Sequence, residues 1–157
     1  MYTPEAYGAL IDLLKSEGYR FDSFDAPSDD RAKIIYLRHD IDYSPDWAAD
    51  FARLNRERGV SATFCFLLRS PLYTLAAAET LEKIDAVLAC GQRVALHFAF
   101  TAAPGGDTGG IASLVARDYD IVRRIVPAMS PAFSWHNPSL APGLIDRCLD
   151  LEAAPGR

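Results

Sequence analysis

Apolar residues alternate along the chain between helical spacing and short continuous runs. Spacings of three and four residues predict helices that begin at Pro4, at Pro45, near residue 79 and near residue 111. Glycine or proline marks the end of each helix, at Gly18, Gly59, Gly91 and Pro127. Strand-length apolar runs lie between the helices, at 33–39, 61–68, 93–98 and 131–136, and a further amphipathic stretch covers 141–151.

This alternation of strands and helices predicts an α/β fold with a mostly parallel sheet covered by helices. In such sheets and barrels, binding and catalytic groups gather at the carboxyl ends of the strands. Polar and ionisable residues follow the predicted strands at that edge. In strand order they are Asp40 and Asp42, then Arg69 and Ser70, then His97, then His136. Since all three histidines of the chain lie at a strand end, the pattern predicts one shared site.

The residue types at this edge indicate metal chemistry. One carboxylate and two imidazoles with an open position are typical of a catalytic zinc site, here Asp42, His97 and His136. A second carboxylate, Asp40, could take a proton from water. Arg38 would relieve the repulsion between the two carboxylates. The alternative is that Asp40, Asp42 and Ser44 only cap the helix that begins at Pro45.

Composition narrows the classes of partner. The 157 residues suffice for one domain with its own core. The net charge of −5 argues against nucleic acid and anionic membranes as partners. No apolar run approaches the ~20 residues of a membrane helix, and the N-terminus has no signal-peptide pattern. The three cysteines, Cys65, Cys90 and Cys148, are interpreted as free thiols, which fits a cytoplasmic location.

Four segments carry a resemblance to a known family. LRHDIDYS (37–44), GVSATFCFLLRSPLY (59–73), LHF (96–98) and FSWHNP (133–138) resemble the polysaccharide deacetylase superfamily, carbohydrate esterase family 4. The match is to its Arg-His-Asp-x-Asp branch, which is often associated with surface-polysaccharide biosynthesis. The resemblance implies a distorted (β/α) barrel and divalent-metal-dependent removal of an acetyl group from an amino sugar. It implies that Asp40 is the general base, Asp42 the first metal ligand and His97 a second ligand.

The sequence departs from that family in three ways. Thr101 stands where the better-studied deacetylases have a second histidine, so His136 is proposed in its place from its position alone. Gln92 and Ala99 replace a histidine and an aspartate of this branch. The chain also ends after about four strands, so we expect residues 1–157 to form one domain that is incomplete at its C-terminus. The open sheet edge could then pair with a second copy.

Several other residues admit two interpretations. Arg69 and Ser70 could contact substrate hydroxyls or lie in a solvated loop. Tyr73 could form a sugar platform or pack as an ordinary aromatic residue. Arg38 could orient Asp40 or merely pair with it. His39 is expected on the opposite sheet face, as a buried hydrogen-bonded partner below the helices. Trp135 is likewise expected in the core, and PGGDTGG (104–110) as a rim loop, since it lacks the lysine of a phosphate loop.

The sequence therefore favours a zinc-dependent hydrolase that acts on an N-acetylated carbohydrate. The first alternative is a relative that lacks catalytic activity, which binds glycans or is inert, as Thr101 and Ala99 suggest. The second is a metal-dependent phosphoesterase, because an edge of aspartates and histidines serves that reaction too.

Overall fold

The computed structural model describes residues 3–24, 32–99 and 108–138, and all structural statements concern these residues. The described chain contains four helices and six strands. In chain order they are α1 (Pro4–Ser16), β1 (Arg20–Asp22), β2 (Ile34–Tyr36), β3 (Arg38–Ile41), α2 (Pro45–Glu57), β4 (Thr63–Leu67), α3 (Ala78–Ala89), β5 (Arg93–Ala99), α4 (Thr108–Ile125) and β6 (Phe133–His136). The predicted stretch at 141–151, Thr101, Cys148 and most of the loop at 101–110 lie outside the described residues.

The main sheet has four parallel strands in the order β3-β4-β5-β6. Each strand pairs with the next one along the chain, so every crossover advances around the sheet in the same direction. Right-handed crossovers of this kind place the connecting helices on one face. A doubly wound sheet would instead reverse its direction at a switch point. The result is a curled half-barrel sheet, which is compatible with part of an α/β barrel.

The two faces of this sheet differ in chemistry. On the helix-covered face, Phe64 and Phe66 of β4 and Leu96 and Phe98 of β5 form the hydrophobic core with residues of the helices. Side chains alternate along a strand, so the intervening residues lie on the opposite face. They include Cys65, which is opposite Asp40 in the register, and His97, which is opposite Ser134. Asp40, His97 and His136 therefore share the face opposite the described helices.

The prediction of one continuous strand at 33–39 is wrong. The segment divides at Leu37 into β2 and β3. β2 pairs with β1 in a separate two-stranded parallel sheet, whereas β3 belongs to the main sheet. β1 was not predicted, because its three residues Arg-Phe-Asp contain only one apolar side chain.

The helices begin and end close to the predicted positions. The Thr3 hydroxyl accepts a hydrogen bond of 3.2 Å from the Ala6 N–H and caps α1. Gly18 follows α1 with φ +83°, a conformation that favours glycine. No helix in the described part of the chain is both long enough and apolar enough to cross a membrane.

Candidate metal site

Three potential ligand atoms from three strand ends meet on the face of the sheet opposite the described helices. Asp42 follows β3 by one residue, His97 lies near the end of β5, and His136 is the last residue of β6. Asp42 Oδ1 lies 3.2 Å from His97 Nε2 and 3.1 Å from His136 Nδ1. The two imidazole nitrogens are 3.2 Å apart. These residues form a cluster that could hold a metal ion, as the strand-end pattern predicted.

The size of this triangle fits a metal ion. With sides of this length, each atom lies ~1.8 Å from the centre, slightly less than the ~2.0–2.2 Å bonds that zinc makes to nitrogen and oxygen, so all three atoms could contact one ion placed a little out of their plane. Asp42 Oδ1 is also buried and has no hydrogen-bond partner among the residues that the structure describes. A buried carboxylate oxygen without a donor is costly unless a cation compensates it. The donor set and this unpaired oxygen together fit a divalent cation.

The electrostatics of His97 suit a ligand. Its side chain is 2 % exposed. Burial lowers the pKa of the imidazole, and this effect outweighs the opposing influence of Asp40 and Asp42. The ring is therefore neutral near pH 7, which is the form that binds metals. The Asp42 carboxylate beside this neutral imidazole supplies a negative charge that attracts a cation.

A second hydrogen-bonded group lies behind His97. His97 Nδ1 is 2.7 Å from the hydroxyl oxygen of Ser134, and Ser134 Oγ donates to Asp40 Oδ1 at 3.2 Å. The other oxygen of Asp40 forms an ion pair of 2.9 Å with Arg38. Sequence reasoning missed Ser134, because a serine two residues before a strand end resembles any other polar residue.

The contacts of Asp40 bear on the helix-capping alternative. Ser44 occupies the N-cap position of α2, and its side chain makes no capping hydrogen bond. The Asp40 carboxylate bonds to Ser134 and Arg38 instead. Arg38 is paired with Asp40 as expected, while its role in orienting a base stays a prediction.

The three residues proposed to bind substrate have protein partners. Arg69 forms a two-pronged ion pair with the buried Asp118 of α4, at 2.5 and 3.0 Å. Tyr73 donates its hydroxyl proton to the Ile41 carbonyl at 2.7 Å and accepts from the Leu67 N–H at 2.8 Å. Ser70 Oγ accepts from the Leu72 N–H at 3.0 Å. These contacts stabilise the loops around the site, and substrate binding by the three residues stays a prediction.

Two exposed aromatic residues border the site and were not predicted. Tyr43 and Trp47 are 78 % and 58 % exposed. Together with Asp40 and Asp42 they line a cavity of about 240 Å³. Trp47 stacks on Phe51 with ring centroids 6.0 Å apart, which supports one side of its ring. The sequence could have indicated both residues, because Tyr43 directly follows Asp42 and Trp47 lies in the first turn of α2.

His39 and Trp135 lie on the helix-covered face, as predicted. His39 stacks on Phe64 with ring centroids 4.5 Å apart, and its Nε2 lies 3.1 Å from the hydroxyl of Tyr7. Burial lowers the pKa of His39 to about 4, against a smaller opposing effect of Asp40. Trp135 packs against the core and contacts Phe98 edge-on.

The departure at Gln92 has a structural explanation. Gln92 is buried, accepts from the Ala62 N–H at 2.8 Å and donates to the Val60 carbonyl at 3.1 Å. It therefore holds the start of β4 rather than the site.

Cys65 and Cys90 are free thiols, and burial raises the pKa of Cys65 to about 11, which makes it unreactive.

Comparison of the chain with protein-family models, with curated proteins and with solved structures gave no match.

Proposed function

We propose that this chain belongs to a zinc-dependent amide hydrolase that removes the acetyl group from an N-acetylated amino sugar. One observation supports it above the others. A carboxylate that is not part of the ligand triangle, Asp40, is hydrogen-bonded through Ser134 to the ligand His97. This carboxylate is 25 % exposed, so it could exchange a proton with water or substrate beside the ligand triangle.

The residues divide the chemistry between them. Asp42, His97 and His136 would hold the cation, which supplies polarisation of the acetyl carbonyl and stabilises the negative charge that develops on its oxygen. Asp40 takes a proton from the attacking water as the new carbon–oxygen bond forms. It then gives that proton to the sugar nitrogen as the carbon–nitrogen bond breaks, which releases acetate and a free amine.

The surroundings of Asp40 suit this exchange. Its side chain is 25 % exposed, so water and substrate can reach it. Arg38 and Ser134 each donate to one of its oxygens, which leaves lone pairs on both for an incoming proton.

A carbohydrate substrate is supported by the aromatic border of the cavity. The exposed residues Tyr43 and Trp47 line the same cavity as Asp40 and Asp42. Aromatic faces bury the apolar face of a sugar ring, while nearby polar groups bind its hydroxyls. The motifs at 37–44 and 133–138 favour the same class of substrate.

The test is acetate release from an N-acetylglucosamine oligosaccharide, with zinc affinity measured on the same samples. We expect Asp40→Asn to retain zinc binding, weakened at most 10–100-fold through Ser134 and His97, and to lose 10²–10⁴-fold in rate at saturating zinc, the range for a general base. Asp42→Ala should lose both zinc binding and activity. Full activity in either variant would contradict the assignment. Hydrolysis of p-nitrophenyl phosphate, without acetate release from the oligosaccharide, would favour a phosphoesterase.

A further inference from the structure

Five polar groups form a continuous hydrogen-bonded line through the site. The Asn137 amide nitrogen lies 2.8 Å from His136 Nε2, and His136 Nδ1 lies 3.2 Å from His97 Nε2. His97 Nδ1 lies 2.7 Å from Ser134 Oγ, which donates to Asp40 Oδ1 at 3.2 Å. The line ends on a carboxylate, so the direction of every donor can be worked out from that end.

The single proton of the Ser134 hydroxyl decides the direction. The Asp40 carboxylate is paired with Arg38, which only donates, and Asp40 itself only accepts. Ser134 therefore donates to Asp40 and has no proton left for His97. The short contact of 2.7 Å then requires that His97 Nδ1 carries the ring proton and donates it to Ser134. His97 Nε2 is left with its lone pair directed toward Asp42 and His136.

We infer that Ser134 is a positioning residue that fixes His97 as the Nδ1–H tautomer, so that Nε2 faces the metal position. The same hydroxyl orients Asp40, and thereby links the proposed base to a proposed ligand. Ser134 is 4 % exposed and lies opposite His97 in the β5–β6 register. Only the role of Asp40 as a base rests on the proposed function, since the tautomer follows from the hydrogen bonds.

The hydrogen bonds of His136 and Asn137, at the other end of the line, would have to change before His136 could bind a metal. As the donors stand, Asn137 donates to His136 Nε2, and His136 Nδ1 donates to His97. For Nδ1 of His136 to bind a cation, its proton must move to Nε2, and the Asn137 amide must turn to present its oxygen. His97, Ser134 and Asp40 need no change. Ser134 thus prepares one side of the site before a metal arrives, and His136 adjusts when it binds.

The decisive measurement needs neither metal nor substrate. Nitrogen-15 NMR of the histidine rings, on the full chain in chelator, reports which ring nitrogen carries the proton. We expect His97 to be the Nδ1–H tautomer in the wild type and in Ser134→Thr. Ser134→Ala and Ser134→Val, the latter isosteric with threonine, should shift His97 toward the Nε2–H tautomer. Ser130→Ala is the matched control, since Ser130 is a buried serine just before β6.

Zinc titration provides the second readout. Loss of the partner behind a ligating histidine typically lowers metal affinity 10–100-fold, and we expect this for Ser134→Ala and Ser134→Val but not for Ser134→Thr or Ser130→Ala. The Thr–Val pair keeps the comparison valid if Ser134→Ala does not fold. An Nε2–H tautomer of His97 in the wild type would overturn the inference, as would equal zinc affinity in Thr and Val variants. If the tautomer and affinity results hold but no acetate is released, only the proposed function fails.

Discussion

Asp42 Oδ1 lies 3.2 Å from His97 Nε2, yet this buried oxygen has no hydrogen-bond donor within the described ranges. Both atoms direct lone pairs toward the same point when His97 is neutral and carries its proton on Nδ1. Such an arrangement is unfavourable by itself and becomes favourable when a cation lies between the atoms. The contact therefore links the stability of the protein to metal binding.

We predict that zinc stabilises the wild type and that Asp42→Ala abolishes this effect. A ligand that binds only the folded state adds about 2.7 kcal/mol at a hundredfold excess over its Kd. Thermal unfolding with and without zinc measures the difference. Without metal, Asp42→Ala should be as stable as the wild type or more stable, because it removes an unpaired buried oxygen. Asp120→Ala, an exposed carboxylate on α4, is the control and should keep the full zinc response.

A second prediction concerns the hydroxyl of Tyr73, which joins the ends of β3 and β4. Tyr73→Phe leaves the Ile41 carbonyl and the Leu67 N–H without their partner, and unsatisfied buried groups cost about 1–3 kcal/mol. Because Ile41 directly precedes Asp42, zinc affinity should fall as well. Urea unfolding and zinc titration measure the two effects. Tyr43→Phe, at a residue that is 78 % exposed, should change neither stability nor zinc affinity.

The comparison of sequence with structure shows which features local patterns can specify. The strand ends at Asp42 and His136 could be predicted, because apolar runs locate strands and parallel strands share one carboxyl edge. Their approach to within 3.1 Å could not be predicted from strand order, because β3 and β6 are the two outer strands of the sheet and their ends meet only because the sheet curls. β1 and the break at Leu37 could not be predicted, since pairing between distant short strands leaves no periodic signal.

Side-chain partners were the least predictable part. Ser134 is distinguished only by its register opposite His97, which depends on how β5 and β6 align. Arg69 follows β4 at the expected edge, but its guanidinium pairs with Asp118, which lies 49 residues further along the chain. A sequence pattern places a residue on an edge or a face. Which neighbour it binds depends on three-dimensional packing.

A third prediction tests the aromatic border of the cavity. Trp47→Ala should raise the KM for an N-acetylglucosamine oligosaccharide about tenfold, equivalent to ~1.4 kcal/mol, with little change in kcat. Trp47→Phe should retain most of the affinity, because a ring face remains. Leu13→Ala on α1 is a matched control, since Leu13 is 56 % exposed and Trp47 is 58 % exposed. An unchanged KM in Trp47→Ala would exclude this residue from substrate binding.

The last prediction concerns the pH dependence of stability. Burial lowers the pKa of His39 from 6.5 to about 4 in the folded protein. Between these values the unfolded chain binds more protons than the folded chain, so the free energy of unfolding falls as the pH drops from 6.5 to about 4. The contribution of His39 to the free energy of unfolding is fully present above pH 6.5, the pKa of histidine in the unfolded chain. It amounts to at most ~3 kcal/mol and is lost as the pH falls to about 4.

His39→Gln isolates this contribution. Glutamine does not titrate and can still bond to the hydroxyl of Tyr7, which lies 3.1 Å from the imidazole. We expect urea unfolding in chelator to show a shallower pH dependence for His39→Gln than for the wild type between pH 4 and 6.5. Some dependence should persist, because burial also lowers the pKa of His97. Identical slopes in the two proteins would mean that His39 is protonated equally easily in the folded and unfolded chains, which contradicts its packing below α1 and α2.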